Sequence, residues 1–355
     1  MGNIYLSLRT DPDDRAEPGE AALKRAIGLF EQLALEVPGN LEHMQKRAQS
    51  YRNLGRLLNS DPGQRREVRQ AYRKAIELYE PVIAESRNAW DFVARATCYD
   101  SVNQYELALA DFKKAVELEP DNAQFHNMLA GLYMGVPYLR ERSRLAVEHG
   151  EKAVELEPDN PAYHSALAYA YRWQRNYAAA REACAKSLAL EPDNPNANRE
   201  MAELLYRAGD LDQALTFANK TVEAHRLQPA SQVYKTRAQI YAKLGRHDES
   251  LSDYNRALEL GPRLSYLYQG RGRVYVKLGR FEEALADFKK AVEVAPANLA
   301  ALNDTAWEII RFNDRPWDAE TVAMALTWVQ RTIELAPESV THWHSLGIAQ
   351  YRVGN

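Results

Sequence analysis

Glu117-Leu118-Glu119-Pro120-Asp121-Asn122-Ala123 returns almost unchanged from Glu155 to Pro161 and again from Ala189 to Pro195. A segment that repeats itself at a spacing of a few tens of residues marks stacked units whose core is shared between neighbours. Within each echo the chemistry is that of a joint. Pro120, Pro158 and Pro192 stop one helix, and Asn122, Asn160 and Asn194 carry a side-chain oxygen able to cap the next. Pro161 and Pro195 then fall at the first helical position, where a missing N–H costs nothing. The closing prolines Pro120, Pro158, Pro192, Pro262, Pro296 and Pro337 are separated by 38, 34, 70, 34 and 41 residues, so the underlying step is 34.

Between joints the apolar residues recur at helical spacing. From Pro161 to Pro192 they are Leu167, Ala168 and Tyr171, then Tyr177, Ala180, Cys184 and Ser187. Their equivalents from Ser265 to Pro296 are Tyr268, Gly272 and Tyr275, then Phe281, Ala284, Phe288 and Ala291. Two buried stripes per unit predict two helices. The small residues Ala168, Ala180, Gly272 and Ala284 let those helices approach closely. Gly209-Asp210, Gly245-Arg246 and Gly279-Arg280 suit a short turn between them. The expected fold class is all-α, an α-solenoid of antiparallel helix pairs.

Composition agrees. The 355 residues are 46% hydrophobic and 26% charged with only 17 glycines, which suits a helical folded chain rather than a disordered one. A formal charge of -4, from 45 basic and 49 acidic residues, gives no general reason to expect nucleic acid or an anionic membrane. Cys98 and Cys184 fall at helical positions that read as buried, so core thiols outside any disulfide, in a reducing compartment, are expected. There is no run of about 18 apolar residues and no basic-then-apolar leader in Met1–Thr10. A cytoplasmic location is the expectation. Met1-Gly2-Asn3-Ile4-Tyr5 reads as the middle of a first helix, and Val353-Gly354-Asn355 falls where a second helix should begin, so both ends read as cuts through a longer array.

The in-register pattern resembles the tetratricopeptide repeat: a large residue, Leu-Gly or Leu-Ala, Tyr, then Ala, Phe or Tyr, Ala and Pro. The resemblance divides the chain into 1–88, with irregular, longer-helix units, and 89–355, an array of seven units and a partial one. The units run near 89–120, 123–158, 161–192, 195–226, 231–262, 265–296 and 299–337, with the partial unit from Val340. Arg226 stands where the closing proline of the fourth unit is expected. The units from Ala123 and Leu299 carry about four and seven extra residues between their helices. Tyr51 to Leu58, with Ala71, Tyr72, Ala75 and Tyr79, is similar to kinesin-light-chain-type units, and Pro81 is expected to kink or end their second helix. Thr10–Gly19 reads as a loop. For the array the resemblance implies a right-handed superhelix.

Several short motifs are decoys. Asp111-Phe112-Lys113, Asp287-Phe288-Lys289 and Ala336-Pro337-Glu338 resemble kinase motifs but occupy fixed repeat positions. Gly270-Arg271-Gly272 lies inside a helix with Tyr275 where a dinucleotide fingerprint needs its third glycine. His342 and His344 are two apart on a helix and point to different faces, which argues against a metal pair. No catalytic residue, cofactor or metal site is expected.

In this family the first helices line the concave face. Carried onto this sequence, the inward residues are Tyr169, Arg172 and Trp173; Arg199, Glu203, Tyr206 and Arg207; Lys235, Gln239 and Lys243; and Gln269, Arg273 and Lys277. Such a face is basic and aromatic, and these residue types dominate interface energies. The resemblance therefore implies a non-catalytic scaffold for a protein or peptide partner, with an extended acidic segment the best match to the charges. Charge reversal at Arg199, Arg207 and Lys243 together is expected to abolish binding. A chaperone-tail clamp is disfavoured: Lys235 fits it, but Gln239 and Gly270 stand where asparagines are needed. The inserted loops Met134–Glu141 and Asn313–Asp318 carry Tyr138 and Trp317, either as contacts for a partner or packed on the adjacent helix. Ala306-Trp307-Glu308, Glu334-Leu335-Ala336-Pro337 and Trp343-His344-Ser345-Leu346-Gly347 are similar to terminal repeats appended to bacterial serine/threonine kinases of planctomycete type. That similarity implies an alternative function, as the regulatory or targeting region of a larger enzyme.

Overall fold

The asparagines of the echoes do cap helices. In the computed structural model, which describes residues 16–59, 62–86, 88–135, 141–226, 230–311 and 317–354, Asn160 accepts from the Ala162 amide at 3.1 Å and Asn194 from the Ala197 amide at 3.0 Å. Asn122 accepts from Phe125 N at 3.3 Å. The glutamates three residues earlier have a purpose too. Glu119, Glu157 and Glu191 accept from the amide groups of Asn122, Asn160 and Asn194, which aims each cap oxygen at the helix.

All regular structure among the described residues is helical. The chain forms two compact units that divide after Leu190. The first unit holds α1 (Ala16–Glu36), α2 (Leu41–Leu58), α3 (Arg65–Glu85), α4 (Ala89–Ser101), α5 (Tyr105–Leu118), α6 (Ala123–Gly135), α7 (Arg142–Leu156), α8 (Pro161–Trp173) and α9 (Tyr177–Leu190). One core runs through it from Ile27 to Ala170, so the irregular N-terminal helices share the core of the repeats that follow. Cys98 and Cys184 are buried outside any disulfide, and burial pushes the Cys98 thiol up to about 12.

The second unit holds α10 (Pro195–Ala208), α11 (Leu211–Ala224), α12 (Ser231–Lys243), α13 (His247–Leu260), α14 (Ser265–Lys277), α15 (Phe281–Val294), α16 (Leu299–Ile310), α17 (Ala319–Leu335) and α18 (Val340–Val353). Each first helix packs on its own second helix, and each second helix packs on the next first helix. The first helices also touch one another, α10 with α12, α12 with α14 and α14 with α16. Their common face is thereby the inner side of this unit.

The small residues act as expected. A Cβ on Gly272 would lie 2.6 Å from the Phe288 ring, and one on Gly55 would lie 3.0 Å from Tyr72. Two expectations need correction. Residues 10–15 of the expected Thr10–Gly19 loop lie outside the described residues, but 16–19 begin α1, where Pro18 in the first turn displaces no intrahelical bond. Pro81 does not end α3, which continues to Glu85. Pro81 and Glu77 are both exposed, so the carbonyl left without its helical partner faces water, while Tyr79 and Val82 stay anchored in the core.

Two features of the packing have no counterpart in the sequence reading. First, the carbonyls of five of the six closing prolines accept a hydrogen bond from the side chain six residues on, Pro296 being followed at that position by Leu302. The donors are His126 to Pro120 (2.8 Å), His164 to Pro158 (2.6 Å), Asn198 to Pro192 (3.4 Å), Tyr268 to Pro262 (3.1 Å) and Trp343 to Pro337 (2.8 Å). Second, three repeats place a bidentate Arg–Asp pair between their helices: Arg95–Asp111, Arg237–Asp253 and Arg271–Asp287, all at 2.7–2.8 Å. The aspartates of the two Asp-Phe-Lys decoys, Asp111 and Asp287, are thus structural partners of arginine.

Candidate functional site

The expected contact residues fall in both compact units. In the first, Tyr169, Arg172 and Trp173 lie on the last turns of α8. Tyr169 and Trp173 meet edge to face at 6.2 Å. The Arg172 guanidinium lies 5.2 Å from the Tyr169 ring centroid and 5.7 Å from that of Trp173, and Arg142 of α7 approaches Trp173 at 5.3 Å. The chain's own cations therefore cover these aromatic surfaces in part. Tyr138 lies outside the described residues.

In the second unit the residues come from α10, α12 and α14, whose inner faces adjoin. Lys243 sits 4.1 Å from the centroid of Tyr206, and Lys235 sits 5.6 Å from that of Tyr266, an exposed residue of α14 that the sequence reading passed over. Lys277 donates to the Ala242 carbonyl at 3.4 Å. Among the described residues, an aromatic ring and a backbone carbonyl hold Lys243 and Lys277 in place of a carboxylate, which leaves their charges available. Gln239 is half-buried on the same helix. Burial raises the Tyr206 hydroxyl above its usual range, with Glu203 adding to the effect.

The arginines are more committed. Arg199 pairs with Glu200 at 3.3 Å, and that carboxylate is only 2% exposed. Arg207 pairs with Glu203 at 2.8 Å. Arg273 and Arg311 take one oxygen each of the buried Glu308, at 2.9 and 2.7 Å. Buried carboxylates need such partners, because an uncompensated charge away from water is costly. Glu308 and Arg311 were missed, since nothing in the repeat pattern announces a carboxylate that bridges two helices.

Gln269, expected among the contact residues, is 7% exposed. Its amide donates to the Ala301 carbonyl at 3.2 Å and the Thr305 hydroxyl at 2.8 Å, so it ties α14 to α16. Gly270 lacks the clamp asparagine for a spatial reason: a Cβ there would collide with the ring of Tyr254. Trp317 packs edge to face on Phe281 at 5.4 Å and joins the core around Val322 and Val329, so packing on the adjacent helix is what the structure supports for this residue.

Family models of the tetratricopeptide repeat match residues 92–122, 140–197, 174–240 and 229–297. The chain is accordingly built of tetratricopeptide repeats across these segments. Tetratricopeptide repeat protein 37 of Xenopus laevis is 26% identical over 203 residues, 55% of this chain and 13% of that protein. The chain thus matches a small part of that relative's length. Among solved structures, a monomeric mutant of IFIT1 with Gppp-AAAA is similar at a TM-score of 0.65 and 17% identity, over 93% of this chain and 77% of that one. Yeast Tom70 is similar at 0.56 and 17% identity, over 86% and 67%. These likenesses concern the fold, an α-solenoid, and proteins with these repeats generally mediate protein–protein interactions. No helix among the described residues is long and apolar enough to cross a membrane.

Proposed function

We propose that the chain is a non-catalytic scaffold that binds an extended, acidic segment of a partner protein along the inner face of α10, α12 and α14. The observation that carries this reading is the set of lysines beside aromatic rings, Lys243 on Tyr206 and Lys235 on Tyr266, with Lys277 nearby on a backbone carbonyl. An ammonium group on a ring can still meet a carboxylate, and Tyr supplies contact area at low entropic cost. Arg199 and Arg207 serve Glu200 and Glu203 first. Reversing Arg199 would set a second negative charge against a buried carboxylate, so the lysines make the cleaner test.

The measurement is the affinity of a fluorescent oligoglutamate peptide at low salt, for the wild type and for Lys235→Glu/Lys243→Glu/Lys277→Glu. At roughly 0.2–1 kcal/mol per exposed charge, the triple variant should bind about tenfold more weakly or worse. Equal affinity would sink the proposal. A second reading, the regulatory or targeting region of a larger enzyme such as a serine/threonine kinase, rests on the resemblance of the terminal repeats. A kinase catalytic domain in the same open reading frame would favour it.

A further inference from the structure

The first helices of the second unit end alike. Arg207, Lys243 and Lys277 stand in the last turns of α10, α12 and α14, and Arg311 closes α16. A cation at a helix C-terminus complements the macrodipole, yet α11, α13, α15 and α17 of the same unit carry no basic residue in their last turns. The basic ends therefore belong to the inner row and not to helix ends in general.

These ends carry more cations than carboxylates. Arg207 pairs with Glu203, and Arg273, one turn before Lys277, shares Glu308 with Arg311. Lys243 rests on the ring of Tyr206 and Lys277 on the Ala242 carbonyl. Among the described residues, these five cations thus share two carboxylates, Glu203 and Glu308. Ala242 directly precedes Lys243, so the Lys277 ammonium comes up against the backbone that carries Lys243. On the second helices the cations are answered in place, as in Arg256–Glu259, Arg280–Glu283 and Lys290–Glu293. Lys235 lies apart from the surplus, about 12 Å along α12 from Lys243.

A carboxylate brings a single charge, whereas a phosphomonoester brings about -1.5 to -2 and three acceptor oxygens on one tetrahedral centre. One such group can take the ammonium of Lys243 and that of Lys277 at once, and lysine meets phosphate as a rotatable point charge. A nucleic acid strand fits this surface less well. At Tyr206 and Tyr266 a lysine already covers a ring face on which a base would stack. Glu203 would also repel a run of phosphates.

We infer that the last turns of α12 and α14 form a phosphate subsite at one end of the proposed acidic-segment groove, on which this inference rests, and that the partner segment carries a phosphoserine there. The test is fluorescence anisotropy of the whole chain at low salt with two labelled peptides, an oligoglutamate with a central phosphoserine and the same peptide with glutamate in that place. The phosphopeptide should bind the wild type about tenfold more tightly. Lys243→Gln/Lys277→Gln should abolish that ratio without disturbing the fold, since both side chains are exposed. Lys235→Gln should weaken both peptides and leave the ratio unchanged. Equal affinities in the wild type would overturn the inference, as would a ratio that survives the double variant. A 5′-phosphorylated oligouridylate that binds as tightly as the phosphopeptide would overturn the choice of a peptide. If oligoglutamate binds and phosphoserine adds nothing, this inference fails alone; if neither peptide binds, the acidic-segment reading falls with it.

Discussion

Arg237 and Asp253 show how a single residue pair can be read wrongly from sequence and plainly from structure. The two bond through paired N–H and oxygen contacts, Asp253 is buried and Arg237 also reaches Asn219 at 3.0 Å. In the unit from Pro161 the same two positions hold Leu167 and Ala183, both buried. The repeat thus accommodates either a charged pair or an apolar pair at these two positions. Asp253→Ala should cost about 3 kcal/mol, because it leaves a partly buried guanidinium without its counter-charge. Arg237→Leu/Asp253→Ala should recover most of that loss, as measured by the urea midpoint. The motif Asp287-Phe288-Lys289 was legible as a repeat position, and Phe288 was correctly placed in the core. The part played by its aspartate was not legible, because the partner Arg271 lies 16 residues away on the other helix.

At the scale of the element, the turns inside the repeats separate into two kinds. Gly209, Gly245 and Gly279 take φ of 88°, 77° and 73°, the left-handed region that a short helix–helix turn requires. Asn103 and Arg175 take the same conformation at 63° without being glycine. Asparagine tolerates it, whereas arginine pays for the close approach of its Cβ to the backbone. Arg175→Gly should therefore raise stability by about 0.5–1 kcal/mol, less whatever the unfolded chain gains in freedom. A higher melting temperature is the expected result, and a lower one would mean that the exposed Arg175 side chain makes a contact worth more than the strain. The joints were legible because cap, proline and spacing are local. The donor six residues past the proline was not, since His, Asn, Tyr and Trp fill that one position in five units and share only an N–H or O–H, while Leu302 fills it after Pro296.

At the scale of the whole molecule, pH acts on the first unit through a pair of histidines. His126 donates its Nε2 proton to the Pro120 carbonyl, so its Nδ1 accepts from the Nδ1 of His149 at 3.0 Å. Tyr133 stacks on His149 at 5.8 Å. Burial, and then the neighbouring His126, hold His149 below the ordinary value of 6.5. A histidine with a depressed folded value binds fewer protons than in the unfolded chain. Its stabilising contribution is complete above 6.5 and is lost as the pH falls through that value toward the folded one. The first unit should unfold at a lower temperature at pH 5.5 than at pH 7.5, and His149→Gln, which keeps a donor to His126, should reduce the difference. An unchanged difference in that variant would assign the effect elsewhere.

The sequence by itself determined that the chain is a stack of antiparallel helix pairs, because caps, prolines and the 34-residue period act within a few residues of one another. Which helices line the inner face was implied only by the resemblance to the repeat family. Tertiary structure alone decided which inward residues are available. Gln269 was drawn into a link to Ala301 and Thr305, and Arg273 was drawn to the buried carboxylate of Glu308. Lys243 was left on the ring of Tyr206. Those assignments depend on pairings between helices 30 or more residues apart, where a buried charge takes whichever partner the packing brings near, and no periodicity along the chain records that choice.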